Sequence, residues 1–271
     1  CMFGETLSNP TMEVLDIEKF ASIAHAHGVP LIVDNTFATP YLSKPIKFGA
    51  DIVVHSTTKF IGGHGTSLGG AIIDSGKFEW KETRFPTFVR PNELIDNRSF
   101  VEAAGEKAFI AKARFELGHD LGATLSPFNA WLFIQGLESL AVRVRQHVVN
   151  AQAVAEYLAQ HELVEWVNYP TLQGNDPQNL VAKYLPKGAG SIFSFGIKGG
   201  LEAAKAFINN VQLLSHVANV GDSKSLVIHP ASTSHSRLTA DQQLASGVTP
   251  GLIRLSIGLE DIEDIKADLA Q

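Results

Sequence analysis

The chain has 271 residues, of which 45% are hydrophobic, and its formal net charge is −6 at pH 7. This composition is typical of a globular protein with enough apolar side chains for one large core or two smaller ones. The negative charge argues against a nucleic-acid partner, because binding to phosphates requires a basic surface. No apolar run reaches the roughly 18 residues of a membrane-spanning helix, so no membrane partner is expected.

The cysteine content limits the redox chemistry of the chain. Its single cysteine, Cys1, excludes an intrachain disulfide framework and a cluster of cysteine ligands for zinc. The histidines share no face of a predicted element, so no metal site is expected. Since the sequence also shows no secretion signal, we expect a cytoplasmic protein. No initiator methionine precedes Cys1, and we therefore expect a fragment that lacks its N-terminal part.

Predicted helices and strands alternate in the first part of the chain. Residues 16–27 have apolar side chains at helical spacing, and Gly28 and Pro30 follow as a helix end. A short helix is predicted around residues 42–48. Residues 31–34 have the pattern of a strand buried on both faces in a parallel sheet, and two further apolar runs, at residues 51–56 and 69–74, predict strands. This alternation predicts an α/β layer with a mostly parallel sheet.

The middle of the chain is less regular. Residues 80–98 are aromatic, charged and interrupted by prolines without a clear period, which predicts a long surface connection or lid. Residues 100–115 and 139–160 have helical periodicity. The second of these ranges predicts a long helix that links two domains.

The last part of the chain predicts a smaller α+β unit. Strands are expected at residues 164–167, 190–197 and 253–257, and helices at residues 201–210 and from Asp261 onward. We therefore divide the chain into two parts. Residues 1–137 form part of a large α/β domain, and residues 138–271 form a smaller C-terminal domain that includes the linking helix.

The densest group of candidate functional residues follows the strand predicted at residues 51–56. There Ser56, Thr57 and Thr58 precede Lys59, and a glycine-rich run follows. An ammonium after an apolar strand is partly removed from water, which lowers its pKa and makes the amine a nucleophile for aldehydes. The side chains of Ser56 and Thr58 can point to one side and bind a phosphate near Lys59. A surface lysine at an ordinary turn is the alternative that these residues leave open.

A second candidate, Asp34, ends the strand predicted at residues 31–34. If that strand neighbours the one before Lys59 in a parallel sheet, Asp34 and Lys59 lie at the same edge. A lysine for the aldehyde and a carboxylate for the pyridine nitrogen are what pyridoxal 5'-phosphate (PLP) requires. The pair therefore predicts a PLP site. Taken alone, Asp34 is equally well explained as a helix N-cap or a turn residue.

Several motifs resemble the signature of the Cys/Met-metabolism PLP enzymes, the family of cystathionine γ-synthase and its relatives. They are ETLSNP at residues 5–10, VDNTFATP at residues 33–40 and STTKFIGGHG at residues 56–65. Similar segments extend the resemblance over essentially the whole chain: LSPFN at 125–129, QGLESL at 135–140, HPAS at 229–232 and RLSIGLE at 254–260. Within the family, residues 105–133 are most similar to the O-acetylhomoserine sulfhydrylases.

The resemblance implies PLP fold type I and assigns the cofactor residues. Lys59 would bind the cofactor's aldehyde, and Asp34 would pair with its pyridine nitrogen. Ser56 and Thr58 would hold its phosphate. Asn9 would lie beside the phenolic oxygen of the ring.

The resemblance also assigns substrate-binding residues. Arg254 would bind the carboxylate of an amino-acid substrate, because its planar guanidinium can donate two parallel hydrogen bonds. Ser225 and Asn9 would lie alongside. From the spacing of residues alone, Arg254 could equally be a surface residue of the last strand.

The activity implied is γ-replacement, in which O-acetyl-L-homoserine and sulfide give L-homocysteine and acetate in methionine biosynthesis. Alternatives within the family are a cystathionine γ-synthase and a methionine or cystathionine γ-lyase. An alternative of another class is a catalytically silent partner or a sulfur-carrier-binding subunit. A homo-oligomer is implied as well, expected as a tetramer with sites at the dimer interface. Further site residues, including a tyrosine that stacks on the ring, are expected in the missing N-terminal segment.

Overall fold

The computed structural model describes residues 1–271, apart from the side chain of residue 94. The described residues form two β-sheets. The first sheet has the strand order β1-β2-β3-β4, with the strands Met2–Glu5, Leu31–Asp34, Ile52–Ser56 and Gly70–Asp74. Strands β1, β2 and β3 are parallel, whereas β4 is antiparallel to β3. The predicted α/β layer with a mostly parallel sheet is confirmed. The sequence does not predict β1, because four residues with one glycine carry too little pattern.

Helix α1 (Ile17–Ala26) connects the first two strands. The side chain of Asp16 caps it by accepting a hydrogen bond from the N–H of Lys19, and His27 ends it. The helix predicted at residues 16–27 is confirmed. Two shorter helices lie between β2 and β3: α2 (Thr39–Leu42) and a 3₁₀ helix at Pro45–Phe48.

Residues 80–120, which we call the aromatic segment, have a small core of their own. The segment contains α3 (Pro86–Val89), a 3₁₀ turn (Glu93–Ile95), α4 (Phe100–Ala104), a second 3₁₀ turn (Gly105–Lys107), α5 (Ala108–Lys112) and a π-helix (Ala113–Asp120). The ring of Trp80 stacks on Phe88 at 4.1 Å and on Phe109 at 5.6 Å between centroids. The predicted surface connection is therefore a packed unit. Gly105, at φ 54°, interrupts the helix predicted at residues 100–115.

Helix α6 (Pro127–Ala159) is the longest element among the described residues. It begins after Ser126, whose side chain accepts a hydrogen bond from the N–H of Asn129. The sequence predicts a start at residue 139, because exposed apolar side chains such as Trp131 and Ile134 hide the one-sided pattern of the first turns. The division predicted between residues 137 and 138 falls inside α6 and stays a prediction.

The second sheet lies after α6. Its strand order is β5-β6-β9-β8-β7, with the strands Val164–Asn168, Ile192–Ile197, Leu252–Ser256, Leu226–Ile228 and Ser215–His216. Strands β5, β6, β9 and β8 pair antiparallel, and β7 pairs parallel with β8. Four helices accompany the sheet: α7 (Leu180–Tyr184), α8 (Gly200–Asn210), α9 (Ala240–Ala245) and α10 (Ile262–Leu269). The predicted α+β unit is confirmed.

One buried apolar cluster joins the two sheets through α6. It includes Val33 of β2, Leu140 of α6 and Leu255 of β9. Burial of such side chains stabilises each by about 1.5 to 3 kcal/mol relative to exposure. The strands that carry the candidate site residues are thus packed on a shared core. No helix of the described residues is long and apolar enough to cross a membrane.

Candidate active site

The segments that carry Asp34 and Lys59 meet at one edge of the first sheet. Strands β2 and β3 are parallel neighbours, with Asp34 paired to Val54. At their carboxyl ends, the N–H of Ser56, the last residue of β3, donates a hydrogen bond of 2.8 Å to Oγ1 of Thr36. Lys59 follows three residues after Ser56 in the turn that leaves β3. The predicted adjacency of the two segments is therefore confirmed.

Residues 57–65, which we call the lysine turn, are held by backbone hydrogen bonds. The N–H of Gly62 donates to the carbonyl of Thr57 at 2.8 Å, and the N–H of Gly63 donates to that of Lys59 at 2.7 Å. Ser223 donates to the carbonyl of Gly63 from both its N–H (2.8 Å) and its hydroxyl (2.7 Å). A loop of the second sheet thereby fixes the end of the turn.

The amine of Lys59 lies half-buried between the two sheets. Its Nζ donates a hydrogen bond to Oδ1 of Asn219. Burial, and then the positive charge of Arg254, lower the pKa of Lys59 below its usual 10.5. A lowered pKa increases the neutral fraction of the amine at physiological pH, which is the form that attacks an aldehyde.

Arg254 of β9 points into the same place. Only 8% of the residue is exposed, and burial lowers its pKa to about 10. Nη1 donates to Oδ1 of Asn9 at 3.3 Å, and Nη2 donates to the carbonyl oxygen of Asn219 at 3.4 Å. The guanidinium stays protonated at neutral pH. The structure thus brings together Lys59, Arg254 and Asn9, three residues that lie far apart in the sequence.

Asn219 is a site residue that the sequence analysis misses. It contacts Lys59 through its side chain and Arg254 through its backbone. No spacing or period identifies it, because it reaches the site on a loop between β7 and β8.

Glu5 is a second residue that the sequence analysis does not single out. It ends β1 and pairs in register with Asp34 of β2. Burial, and then the nearby carboxylate of Asp34, raise the pKa of Glu5. Two carboxylates therefore lie next to each other at this edge of the sheet.

The residues expected to hold the cofactor fit a PLP molecule. The hydroxyl of Ser56 is half-buried and makes no hydrogen bond with any residue that the structure describes. The hydroxyl of Thr58 is oriented by Gly69, to whose carbonyl it donates at 3.3 Å and from whose N–H it accepts at 3.0 Å. Asp34 accepts a hydrogen bond of 2.9 Å from the N–H of Thr36. The site therefore offers the groups that this cofactor requires. They are two hydroxyls for the phosphate, a carboxylate for the ring nitrogen and a half-buried amine for the aldehyde.

Ser225 is placed differently from the other predicted substrate residues. It is fully buried, and its hydroxyl donates to the carboxylate of Glu260 at 2.8 Å and accepts from the N–H of Gly258 at 2.9 Å. These bonds join the start of β8 to the chain that follows β9. Among the described residues, Ser225 makes no hydrogen bond to Asn9, Lys59 or Arg254.

His64 contributes to the shape of the lysine turn. Its Nδ1 lies 2.8 Å from the carbonyl oxygen of Gly62, to which it donates. This contact indicates a structural role for His64 in the loop. Within the part of the chain that the structure describes, no three His, Cys, Asp or Glu side chains are grouped so that they could hold a metal ion.

Comparison with other sequences gives a consistent picture. An O-acetyl-L-homoserine sulfhydrylase from Leptospira meyeri is 49% identical over 99% of this chain, and a homocysteine synthase from Schizosaccharomyces pombe is 48% identical over 100% of it. The chain spans 63% and 64% of the length of these two relatives, respectively.

Solved structures share the fold. An O-acetylhomoserine (thiol)-lyase from Campylobacter jejuni that carries N'-pyridoxyl-lysine-5'-monophosphate superposes with a TM-score of 0.94 at 43% identity, and the match covers 99% of this chain and 64% of that one. A cystathionine γ-synthase from Xanthomonas oryzae gives a TM-score of 0.81 at 36% identity, over 99% of this chain and 61% of that one. Residues 1–271 match the family described as Cys/Met metabolism PLP-dependent enzyme. The chain therefore belongs to this family.

Proposed function

We propose that the chain is the lysine-bearing part of a PLP-dependent transferase that converts O-acetyl-L-homoserine and sulfide to L-homocysteine and acetate. The observation that carries the proposal is the meeting of Lys59, Arg254 and Asn9. An amine of lowered pKa and a cation for a carboxylate lie side by side there. The names of the relatives supply the particular substrates.

Four residues would hold the cofactor. Lys59 would bind its aldehyde, and Asp34 would pair with the ring nitrogen. Ser56 and Thr58 would hold the phosphate, Thr58 by turning its proton from the carbonyl of Gly69, 3.3 Å away, to the stronger phosphate acceptor. When bound, PLP accepts electrons from bonds that break next to the amino group of the substrate. The negative charge of Asp34 would keep a proton on the ring nitrogen, which favours that electron flow.

Arg254 would bind the carboxylate of the amino-acid substrate. Its hydrogen bonds to Asn9 and Asn219 are 3.3 Å and 3.4 Å long, and a carboxylate is a stronger acceptor than either partner. Asn9 would remain beside the bound substrate. For Ser225 we propose a structural role, because its fully buried hydroxyl donates to the carboxylate of Glu260 and makes no described hydrogen bond to Asn9, Lys59 or Arg254.

Lys59 would move the protons of the reaction. With the substrate's amine bound in its place, the free amine of Lys59 would take the proton from Cα, pass it on, and then, neutral again, take a proton from Cβ. The bond between Cγ and the ester oxygen would break with acetate as the leaving group, and sulfide would form the new bond to Cγ. Lys59 would then return one proton to Cβ and, in a separate step, deliver one to Cα. The lowered pKa of Lys59 suits an amine that must give and take protons near neutral pH.

The choice of sulfur donor is tested by competition. The intact protein is supplied with O-acetyl-L-homoserine and either sulfide or cysteine, and the products are identified by mass spectrometry. We expect homocysteine from sulfide at a higher kcat/KM than cystathionine from cysteine. A preference for cysteine would indicate a cystathionine γ-synthase, and release of ammonia without any thiol would indicate a γ-lyase. A catalytically silent subunit would show neither turnover nor the visible absorbance of lysine-bound cofactor.

We also propose a cytoplasmic homo-oligomer, a tetramer whose sites lie at the dimer interface. The first turns of α6 expose large apolar side chains, which in water favours contact with further protein; they are Phe128, Trp131, Ile134 and Leu137. Light scattering of the intact protein tests the assembly, and a monomeric mass would contradict it. The division into residues 1–137 and 138–271 is proposed as the boundary between the cofactor domain and the C-terminal domain.

A further inference from the structure

Arg143 of α6 is buried against the lysine turn. Only 8% of the residue is exposed. Nη1 donates to the carbonyl of Phe60 at 2.8 Å, and Nη2 donates to the carbonyl of Ile61 at 3.2 Å and to that of Gly136 at 2.7 Å.

The charge of Arg143 is not balanced by an acid. Among the described side chains, no carboxylate forms a salt bridge with it, and its burial lowers its pKa. Burying a guanidinium is costly unless its donors find partners. Arg143 finds them on three backbone carbonyls, together with a bond of 3.1 Å from Nε to Oγ of Ser139. A planar fork can reach several carbonyls at once, whereas a lysine ammonium cannot reproduce that geometry.

Two glycines make this close approach possible. A Cβ atom on Gly136 of α6 would overlap the carbonyl oxygen of Ile61, and one on Gly63 would overlap the guanidinium of Arg143. Gly63 also has a positive φ of 74°. The helix and the lysine turn therefore fit together only because side chains are absent at both positions.

The same face of α6 contacts the segment that follows Arg254. Nδ1 of His147 donates to the carbonyl of Ile257 at 2.7 Å, while its ring meets that of Phe60 edge-on at 5.4 Å between centroids. Asn150 donates to the carbonyl of Gly258 at 3.1 Å. One helix face thus contacts the residues next to Lys59 and the end of the strand that carries Arg254.

We propose that Arg143 is a positioning residue for Lys59. By holding the carbonyls of Phe60 and Ile61, the two residues directly after Lys59, it directs the lysine amine toward Asn219 and the guanidinium of Arg254. Arg143 touches neither the amine nor the substrate carboxylate site in this arrangement. The proposal rests on the proposed function only in that Lys59 binds PLP.

The test measures Lys59 itself in the intact protein. In the cofactor-free form, acetic anhydride labels Lys59 over a range of pH, and mass spectrometry gives the pH midpoint of labelling. In parallel, equilibrium dialysis gives the affinity for PLP. The variants are Arg143→Met, Arg143→Lys and Gly136→Ala, and Arg145→Met is the matched control, because it removes the same charge from an exposed position of the same helix.

For Arg143→Met we expect a changed labelling midpoint, closer to that of an ordinary lysine, and a roughly tenfold loss of PLP affinity, as charge-assisted hydrogen bonds are lost. Arg143→Lys should restore part of the shift in labelling midpoint and part of the PLP affinity. Gly136→Ala should reproduce the effects of Arg143→Met without removing a charge, since its methyl group displaces Ile61. Arg145→Met should match the wild type in both measurements.

The proposal is overturned if folded Arg143→Met and Gly136→Ala proteins keep the wild-type midpoint and PLP affinity, even if their thermal stability falls. If Arg143→Met does not fold, the same two readouts on Arg143→Lys and Gly136→Ala decide the matter. Failure of the proposed function gives a different result, because wild-type protein would then not bind PLP at Lys59 at all.

Discussion

The lysine turn and the aromatic segment follow consecutive strands of the first sheet, β3 and β4, yet they are held in different ways. The lysine turn is contacted by the backbone or side chains of distant elements, namely Arg143 of α6 and Ser223 of the second sheet. The aromatic segment is stabilised by its own rings, such as Trp80 on Phe88. The contrast teaches that the position of Lys59 depends on the packing of the whole chain, whereas the aromatic segment depends mainly on itself.

The largest effect is expected from the lysine turn. Lys59→Ala removes the only amine that we place at the cofactor's aldehyde, so covalent PLP binding and turnover should both be lost. The fold should remain, because one half-buried side chain at the sheet edge contributes little to the core. Absorbance spectra, a sulfide assay and circular dichroism check the three expectations. Normal turnover in this variant would remove Lys59 from the mechanism.

Phe88→Ala tests the independence of the aromatic segment. Phe88 is buried against Trp80 and Phe109, and its truncation should cost about 3 kcal/mol of local stability. Hydrogen exchange should become faster in residues 80–120 while residues 57–65 keep their wild-type protection. Equal acceleration in both regions would contradict the contrast between them.

Acid should weaken the contacts of the lysine turn through His147. Burial, chiefly, lowers its pKa from 6.5 to about 4. Between these values the unfolded chain binds a proton that the folded chain does not, so stability is lost as pH falls from about 6.5 to about 4. The loss is on the order of 3 kcal/mol, from about 1.4 kcal/mol per pKa unit.

Urea unfolding at several pH values measures this contribution. His147→Gln should lack the stability loss that His147 causes between about pH 6.5 and about pH 4. The control His64→Gln, a change at an exposed residue, should retain it. An identical pH slope in wild type and His147→Gln would show that other groups cause the acid sensitivity.

Asp34→Asn tests the other end of the proposed ring site. A neutral amide cannot stabilise a proton on the pyridine nitrogen, and removal of one such electrostatic partner reduces kcat by about 100-fold. Steady-state kinetics with O-acetyl-L-homoserine and sulfide measure the change. A wild-type kcat in Asp34→Asn would show that Asp34 does not pair with the ring nitrogen.

The smallest effect concerns the substrate carboxylate. Arg254→Lys keeps the charge but loses the two-pronged geometry, so we expect KM for the amino-acid substrate to rise about tenfold with a smaller change in kcat. Asn9→Asp is a useful companion, because it would place an acid against Arg254 and compete with the substrate carboxylate. An unchanged KM in Arg254→Lys would show that the substrate carboxylate binds at another place.

The sequence predicts those parts of the fold that rest on local patterns. Periodic apolar residues mark helix α1, and apolar runs mark strands β2 and β3. Gly28 and Pro30 mark the turn between α1 and β2. The pairing of β2 with β3 follows from the parallel α/β pattern, and with it the neighbourhood of Asp34 and Lys59. Local chemistry also suffices to predict the lowered pKa of Lys59.

The sequence does not predict contacts that depend on the packing of distant elements. Asn219 and Arg143 carry no local signal, because each acts on the lysine turn from another part of the fold. The start of α6 is missed for a related reason, since its first turns expose apolar residues such as Trp131. The engagement of Ser225 with Glu260 likewise becomes visible only when β8 and β9 are side by side.

The most direct measurement is chemical trapping of the cofactor on the intact wild-type protein. The protein is incubated with PLP, reduced with borohydride, digested, and analysed by mass spectrometry for peptides that carry a pyridoxyl phosphate group. We predict a single major adduct on Lys59, with little labelling of the Lys59→Ala variant under the same conditions. An adduct mainly on another lysine, or equal labelling of wild type and variant, would contradict the assignment of Lys59 as the residue that binds the cofactor.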